Sequence, residues 1–284
     1  MKRLILLMHC QDKKGIIAAV TNFIHHRQGN IVYIDQYVDR IHSTFFMRVV
    51  IEGHFDGSAF KEFKHVFHTE LEKPFHLSCS FYLEEKKPKL AVFVSKYEHC
   101  LYDILAQQQA GKLHCEIPFI LSNHKDLEHI AKRFDLPFYH IEVTKENKPQ
   151  AEEKQIELLQ KHQVDCVVLA RYMQIVTNKI ISHYPNKIIN IHHSFLPAFP
   201  GAKPYHSAYE RGVKIIGTTS HYVTEELDAG PIIEQDITRV SHAHNVSDFI
   251  DKGRDLERLV LLRALKLHTE RKVMVYNNKT VVFT

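Results

Sequence analysis

The sequence predicts a two-domain α/β protein, in which a small α+β domain precedes a doubly wound, mostly parallel sheet. Strand and helix patterns alternate along the 284 residues. The later strands are continuous apolar runs, as expected where helices cover both faces of a parallel sheet. A charged stretch with one proline, residues 84–89, separates the two patterns and is typical of a linker. We therefore expect domains over residues 1–84 and 85–284.

The first 84 residues predict the element order βαββαβ. Glycine at position 29 is expected to close the first helix, since glycine is common just past a helix end. This order within about 80 residues is typical of a ferredoxin-like fold. The predicted strands cover residues 4–10, 30–39, 44–52 and 76–83, and the predicted helices cover residues 15–28 and 58–71.

The second domain predicts strands that alternate with helices. A long helix, residues 246–271, is followed by a hairpin that turns at Asn277 and Asn278. Such alternation predicts a mostly parallel, doubly wound sheet. The predicted strands cover residues 90–95, 117–123, 138–143, 165–170, 188–193 and 215–223, and two of the predicted helices cover residues 127–134 and 154–162.

Charge and hydropathy exclude two classes of partner. The net charge is +4, with 33 acidic residues among 37 basic ones, so the sequence lacks the basic footprint of a nucleic-acid-binding protein. No segment reaches the roughly 18 uninterrupted apolar residues of a membrane span. The short apolar start lacks a cleavage site of small residues and predicts a strand, not a signal peptide.

The cysteine pattern predicts a reducing compartment. The chain has five cysteines, an odd number without a CxxC pair, which argues against a disulfide framework or a structural zinc site. We therefore expect a cytoplasmic protein with no metal site.

The most informative segment is the run from Asn190 to Gly201, which follows the apolar residues 187–189. Side chains two apart on a strand share a face, so Asn190 and His192 point the same way. An amide and an imidazole at the end of a strand can polarise a carbonyl and hold the resulting oxyanion. The alternative is a polar strand end that only satisfies a turn.

Two further segments are expected at the same edge of the sheet, because ligands of open α/β sheets bind beyond the carboxyl ends of the strands. These are residues 169–176 and residues 221–233, which include Asp228. Together with the Asn-x-His run, they resemble the 10-formyltetrahydrofolate-dependent formyltransferase family, whose pattern is N-x-H followed by a Ser-Leu-Leu-Pro-like loop and then H-x-V-x₄-D-x-G-x-I. The resemblance covers roughly residues 88 to 270.

This resemblance implies a carbonyl-addition site. Asn190 would donate to the formyl oxygen, charged His192 would stabilise the oxyanion, and Asp228 would orient the nucleophile and help to remove its proton. The backbone of residues 173–176 would bind the pterin ring. No cofactor is implied, because Asn190 and His192 can activate a formamide carbonyl without a metal. The implied substrate-binding residues are Met173, Gln174, Ile175, Val176, His193 and His221.

Departures from the family pattern point to water as the acceptor. In the transferase that acts on glycinamide ribonucleotide, a glycine-rich turn after the first strand holds the acceptor's phosphate. The equivalent turn here, residues 95–101, has no glycine and carries an acid. A tRNA acceptor would call for an RNA-binding domain after the catalytic one, and the sequence ends soon after it. His193 stands where the transferases have proline; it could position water or block an amine, or be a structural hydrogen bonder.

The whole sequence resembles the formyltetrahydrofolate deformylases. The resemblance rests on the run at residues 190–199, on Lys203-Pro204-Tyr205-His206 and on residues 209–217. It implies hydrolysis of 10-formyltetrahydrofolate to formate and tetrahydrofolate. Two alternatives stay open: transfer of the formyl group to a small amine, such as an amino sugar nucleotide, and a non-catalytic folate- or amino-acid-binding regulator.

The first domain resembles the ACT family of regulatory domains, through Asp12-Lys13-Lys14-Gly15-Ile16 and Gly29-Asn30-Ile31. The resemblance implies an effector site with Asp12, Gly15 and Asn30, an amino-acid effector such as glycine or methionine, and a homo-oligomer, dimer or tetramer. The alternatives are a plain turn and a domain that only dimerises.

Overall fold

The computed structural model describes residues 1–198 and 204–284, which form two compact units. Each unit contains its own sheet. The first unit comprises Met1–Lys87, Glu270–Met274 and Val281–Thr284, and the second comprises Pro88–Thr269 and Val275–Thr280.

The C-terminal segments Glu270–Met274 and Val281–Thr284 group with the first unit because its sheet anchors them. The buried Arg48 guanidinium donates to the carbonyl oxygens of Glu270 (3.1 Å) and Arg271 (2.9 Å). The Tyr33 hydroxyl donates to the carbonyl oxygen of Thr284 at 2.8 Å. The sequence places residues 85–284 in one domain, whereas the structure groups residues 85–87, 270–274 and 281–284 with the first unit. Contacts between residues more than 200 positions apart leave no local pattern in the sequence.

The first unit has the predicted βαββαβ order. Its antiparallel sheet has the strand order β2-β3-β1-β4, which confirms the ferredoxin-like fold. The strands are β1 (Lys2–Gln11), β2 (Asn30–Asp39), β3 (Thr44–Gly53) and β4 (Ser78–Leu83); the helices are α1 (Ile16–His26) and α2 (Gly57–Phe67), which continues through a π-helical turn, His68–Glu72, into α3 (Lys73–Phe75).

The two ends of α1 depend on backbone conformation in different ways. Gly15, just before the helix, has a φ of +92°, which glycine adopts without strain. At the other end Gln28, not Gly29, takes the left-handed conformation with φ +56°. The reason for glycine at position 29 is space, since a Cβ there would lie 2.8 Å from Ile24 Cγ2 and 2.9 Å from Ile51 Cγ2. The Gly29 N–H donates to the Ile24 carbonyl oxygen at 3.0 Å, so residue 29 does help to close the helix. Glycine is needed there for space and not for its backbone conformation.

The second unit alternates strands with helices as predicted. Its elements are β5 (Leu90–Val94), α4 (His99–Gln109), β6 (Ile120–Ser122), α5 (Glu128–Arg133), β7 (Phe138–His140), α6 (Lys148–Lys161), β8 (Cys166–Leu169), α7 (Asn178–Ile181), β9 (Ile188–His192), α8 (Pro204–Arg211), β10 (Ile215–Tyr222), β11 (Ile232–Arg239) and α9 (Val246–Thr269), and the chain ends in the hairpin β12 (Val273–Tyr276) and β13 (Lys279–Val282).

The seven-stranded sheet has the order β11-β10-β9-β8-β5-β6-β7. Strands β5 to β9 pair in parallel with their neighbours among these five strands, whereas β10 pairs antiparallel with both β9 and β11. The predicted mostly parallel sheet is therefore confirmed. The chain runs from β5 outward to β7 and then returns to β8 on the other side of β5. The topological switch point, where ligands of open α/β sheets commonly bind, therefore lies between β5 and β8.

The burial of each strand explains which ones the sequence reveals. Every residue of β5 and of β8 is buried, which produces their continuous apolar runs. Strand β11 lies at the edge of the sheet, and Ile233 is the one buried residue of its eight. Its sequence, Ile-Ile-Glu-Gln-Asp-Ile-Thr-Arg, lacks an apolar run, so the pattern does not predict a strand at these residues.

Within the described residues, no helix has the length and apolar character needed to span a membrane.

We predict that Gly29→Ala lowers the free energy of unfolding of the first unit by about 1–3 kcal/mol, because the added methyl group overpacks the contact with Ile24 and Ile51. Urea denaturation followed by circular dichroism measures the change. Lys61→Ala, at an exposed position of α2, is the control and should unfold like the unmodified protein. Equal stability of the Gly29 and Lys61 variants would contradict the packing role.

Candidate functional site

The candidate site lies where β8, β9 and β10 meet at one edge of the second unit's sheet. Asn190 and His192 lie on β9, two residues apart and on one face. Strand β10 pairs with β9 so that His221 is directly opposite Asn190. A β-bulge interrupts the pairing of β10 with β11 between Ser220 and His221, and bulges of this kind re-aim side chains near active sites.

His221 holds the Asn190 side chain in place. Its Nδ1 lies 2.9 Å from the carbonyl oxygen of Tyr222, which can only accept, so Nδ1 carries the proton. Burial lowers the pKa of His221, and the neutral ring presents Nε2 as an acceptor. The amide nitrogen of Asn190 lies 3.2 Å from this Nε2. One amide hydrogen of Asn190 is thereby engaged, and the second is left for another acceptor.

Asp228 reaches the two imidazoles from a tight turn. Its φ of +57° lies in the left-handed region, which aspartate tolerates better than most residues. Two residues later, a Cβ on Gly230 would lie 1.8 Å from the carbonyl oxygen of Tyr222, so only glycine allows this approach. The turn brings Asp228 Oδ2 to 3.4 Å from His192 Nδ1 and Oδ1 to 3.7 Å from His221 Nε2.

His192 is buried, with only 6% of its surface exposed. Burial lowers its pKa, and this effect outweighs the attraction of the Asp228 carboxylate. The resting imidazole is therefore mainly neutral near pH 7. Its Nε2 is buried and has no hydrogen-bond partner among the described residues. A buried polar atom without a partner is costly, and here it lies in the wall of a cavity.

The loop after β8 is anchored at three points. The Met173 backbone N–H donates to Ser95 Oγ at 2.9 Å. Gln155 on α6 donates to the Tyr172 hydroxyl at 3.1 Å. The buried Glu152 accepts hydrogen bonds from the backbone N–H and the hydroxyl of Thr177. These contacts fix both ends of the loop and already occupy the Met173 N–H.

One cavity of about 290 Å³ collects the predicted site residues. All three predicted catalytic residues and all six predicted substrate-binding residues line it. Met173 and Ile175 are exposed, whereas His192, His193 and His221 are buried. The lining residues are Asn190, His192 and Asp228 together with Met173, Gln174, Ile175, Val176, His193 and His221, and also Leu169, Arg171, Tyr172, Ile191, Val223, Thr224, Glu225 and Leu227.

Arg171 and Glu257 are two buried charged residues beside this cavity that no sequence motif singled out. Arg171 lines the cavity and pairs with Glu257 at 3.2 Å. Glu257 lies on α9, 86 positions away along the chain. Arg171 could have been noticed as a charged residue close after the buried strand β8. No local pattern indicates that Glu257 is its partner.

The predicted effector residues do not come together within one chain. Asp12 and Gly15 lie beyond Gln11, at the end of β1. Asn30 pairs with Glu52, which is opposite Arg3 near the start of β1. The eight residue-to-residue steps from Arg3 to Gln11 span about 27 Å of strand. Asn30 is therefore at the far end of the sheet from Asp12 and Gly15.

A group of possible metal ligands, His99, Cys100 and Glu257, has ligand atoms within 4.8 Å of one another. The carboxylate of Glu257 is already hydrogen-bonded by His99 and paired with Arg171. Burial raises the pKa of the Cys100 thiol well above its ordinary value, so the thiolate that would bind a metal is disfavoured. We assign no metal to this group. Residues 199–201 of the predicted run, and Lys203 of the motif that follows it, lie outside the described residues.

Comparisons with known proteins identify the family of the chain. The family model described as formyl transferase matches residues 88–265, and the ACT domain model matches residues 4–62. A curated formyltetrahydrofolate deformylase from Synechocystis sp. is 50% identical over 280 residues, covering 98% of this chain and 97% of the relative.

Solved structures add two comparisons. A formyltetrahydrofolate deformylase from Pseudomonas syringae pv. tomato matches with a TM-score of 0.96 at 42% identity, covering 100% of this chain and 95% of that one. A glycinamide ribonucleotide transformylase from Symbiobacterium toebii matches with a TM-score of 0.66 at 29% identity, covering 72% of this chain and 97% of that one. Matched over nearly its whole length, with an ACT model before a formyl transferase model, the chain belongs to the family of formyltetrahydrofolate deformylases.

Proposed function

We propose that the cavity at the ends of β8, β9 and β10 hydrolyses 10-formyltetrahydrofolate to formate and tetrahydrofolate, with Asn190, His192 and Asp228 as its catalytic residues. The observation that carries the proposal is the convergence of these three side chains in one cavity of a deformylase-family chain. The names of the relatives indicate the reaction, and the geometry of the cavity supports the role proposed for each residue.

Asn190 polarises the formyl carbonyl. Its amide nitrogen is held by His221, and its free N–H donates to the formyl oxygen. The donor is fixed before the substrate binds, so little reorganisation is needed as charge develops on that oxygen. His221 was predicted to bind substrate; we propose instead that it positions Asn190.

His192 and Asp228 carry out the proton transfers from the attacking water and to N10. The attacking water is oriented by Asp228 and loses a proton to the His192–Asp228 pair, whose facing atoms are 3.4 Å apart. His192 is neutral at rest and becomes charged in this step. The imidazolium then donates from Nε2 to the oxyanion. Collapse breaks the bond from the formyl carbon to N10, which takes the proton from His192, and formic acid releases its own proton to solvent.

The loop after β8 holds the folate ring. The Met173 N–H is occupied by Ser95, so the backbone of residues 174–176 supplies the hydrogen bonds to the pterin. The exposed side chains of Met173 and Ile175 supply apolar contact. His193 lies beside His192, with ring centroids 5.3 Å apart, and contacts the substrate near the formyl group. The proposed chemistry uses no cofactor, because amide and imidazole donors suffice to polarise a formamide carbonyl.

The wider role is also a proposal. The reaction supplies formate for purine synthesis and balances the one-carbon folate pool. No disulfide bond joins any of the five cysteines, all of which lie within the described residues, and this supports a reducing, cytoplasmic location. Strand β2 is an edge strand with exposed Ile34 and Tyr37, which supports a homo-oligomer, dimer or tetramer, through the first unit. The ACT match supports an amino-acid effector, glycine or methionine, near Asp12 and Gly15.

We predict that Asn190→Ala, His192→Ala and Asp228→Asn each lower kcat for formate release by ~10²–10³, because each removes a preorganised group at the reacting carbonyl. Formate release from 10-formyltetrahydrofolate without added amine measures the effect. His183→Ala, at an exposed histidine outside the cavity, is the control. An Asp228→Asn variant with full activity would overturn the mechanism.

We predict that kcat/KM is level near neutral pH and falls as the pH drops through a pKa below the ordinary histidine value of about 6.5. The sign follows from the mechanism: neutral His192 accepts the proton, and burial lowers the pKa of His192, so the active form is lost only on the acid side. A pH profile, with His192 titrated separately by NMR, measures this. Activity that rises as the pH falls from 8 to 6 would show that the charged form is needed from the start.

We predict that glycine or methionine changes the rate of formate release and that Asp12→Ala weakens this response while leaving the rate without effector unchanged. The exposed Asp12 side chain lies at the proposed effector turn and not at the catalytic cavity. Rates measured with and without each amino acid provide the test. The same response in both proteins would place any effector site elsewhere.

A further inference from the structure

The switch point between β5 and β8 is where an open α/β sheet has room for a ligand at its carboxyl edge. In this chain polar and aromatic side chains meet at that position. Tyr97 follows β5, Arg171 follows β8, and Glu257 reaches them from α9. The guanidinium of Arg171 lies over the Tyr97 ring at 4.8 Å and pairs with Glu257 at 3.2 Å. We refer to these three residues as the crevice cluster.

Glu257 holds the cluster together. Its side chain is 1% exposed and accepts from the Tyr205 hydroxyl and from His99 Nε2, both at 2.7 Å. Burial alone would raise the pKa of Glu257, but the hydrogen bond from His99 and the charge of Arg171 outweigh it, so the pKa is lowered. The carboxylate is therefore charged and fully engaged at neutral pH. Such a pair is hard to displace, because removing one member leaves a buried charge.

Tyr205 shows that α9 is shaped to complete this arrangement. A Cβ at Gly253 would lie 2.1 Å from Tyr205 Cζ and 2.2 Å from its hydroxyl oxygen. Glycine inside a helix costs about 1 kcal/mol relative to alanine. Here the glycine leaves room for the Tyr205 ring to pack against α9 one turn before Glu257. The Tyr205 hydroxyl can then donate to the Glu257 carboxylate.

Arg171 joins the cluster to the catalytic cavity. It lines the same cavity as His192, and its Nε is buried without a hydrogen-bond partner among the described residues. Its φ of +62° is in the left-handed region, which favours glycine and strains a long side chain. A buried arginine with a strained backbone and an unpartnered Nε destabilises the fold. Its position beside His192 therefore indicates a functional role for Arg171 and not only a structural one.

We infer that Tyr97, Arg171 and Glu257 determine the acceptor, because they fill the crevice through which an amine would reach the formyl carbon and leave space only for water. The inference rests on the proposed position of the formyl group beside Asn190 and His192. It concerns which nucleophile enters, whereas the proposed function concerns how the carbonyl is activated.

The two reactions differ only in the nucleophile. With water, a C–O bond forms, the bond from the formyl carbon to N10 breaks, and formate, tetrahydrofolate and a proton result. With a primary amine, a C–N bond forms in place of the C–O bond. The proton that the amine loses goes to N10, and the products are an N-formyl amine and tetrahydrofolate. An enlarged crevice therefore changes the product without a new catalytic group.

The test is the double variant Arg171→Gly with Glu257→Gln. Glycine relieves the left-handed backbone and empties the space. Glutamine removes the unpaired charge, its amide oxygen still accepts from the Tyr205 hydroxyl, and its amide nitrogen donates to a neutral His99 ring. Glycinamide is the probe, with formate and N-formylglycinamide quantified by mass spectrometry. We expect the ratio of N-formylglycinamide to formate to rise at least about tenfold above that of the unmodified protein, the size typical of one group added to or removed from a pocket.

A second variant and a control keep the test decisive. Tyr97→Ser, at a partly exposed position that tolerates substitution more readily, should raise the same ratio to a smaller extent. Arg258→Ser, next to Glu257 but partly exposed and paired with Asp255, should leave the ratio unchanged. Folded variants that hydrolyse the substrate without forming N-formylglycinamide would overturn the inference. So would folded variants that lose hydrolysis entirely, since the cluster would then act by positioning the catalytic groups.

Failure of the proposed function has a different signature. In that case Asn190→Ala and His192→Ala would retain formate release, whatever the crevice variants produce.

Discussion

The close approach of Gly230 to the Tyr222 carbonyl is the constraint on which the site depends. A Cβ would come within 1.8 Å of that oxygen, so the chain can fold back at this point only with glycine. The fold-back presents Asp228 to His192 and His221. The same Tyr222 carbonyl accepts from His221 Nδ1, which fixes the tautomer of the ring that holds Asn190. One peptide group thus positions both the acid and the amide of the site.

Burial gives these groups their chemical character. An exposed histidine would be partly charged near neutrality, whereas burial lowers the pKa of both His192 and His221. Each ring can then accept a hydrogen bond or a proton. His192 keeps an unpartnered Nε2 in the cavity wall, a cost that the remainder of the second unit has to offset. The proposed proton path depends on this neutral resting state.

Two positions at the strand ends of the second unit's sheet differ in what occupies them. Over β8, β9 and β10, a cavity is lined by donors and by the anchored loop after β8. Between β5 and β8, the switch point holds a buried ion pair covered by Tyr97. The comparison with the transformylase shows that the same sheet occurs in an enzyme named for transfer to glycinamide ribonucleotide. The fold alone therefore does not determine the reaction.

The sequence by itself determined the element order of the first unit, the mostly parallel sheet of the second and nine of the residues that line the cavity beside β8, β9 and β10, because buried strands and short motifs are local patterns. Only the tertiary structure decided the pairing of Arg171 with Glu257, the anchoring of residues 270–271 by Arg48, the separation of Asn30 from Asp12, and the packing role of Gly29. Each of these depends on contacts between residues distant in the chain or on the space left by neighbouring side chains, and a local pattern carries no record of either.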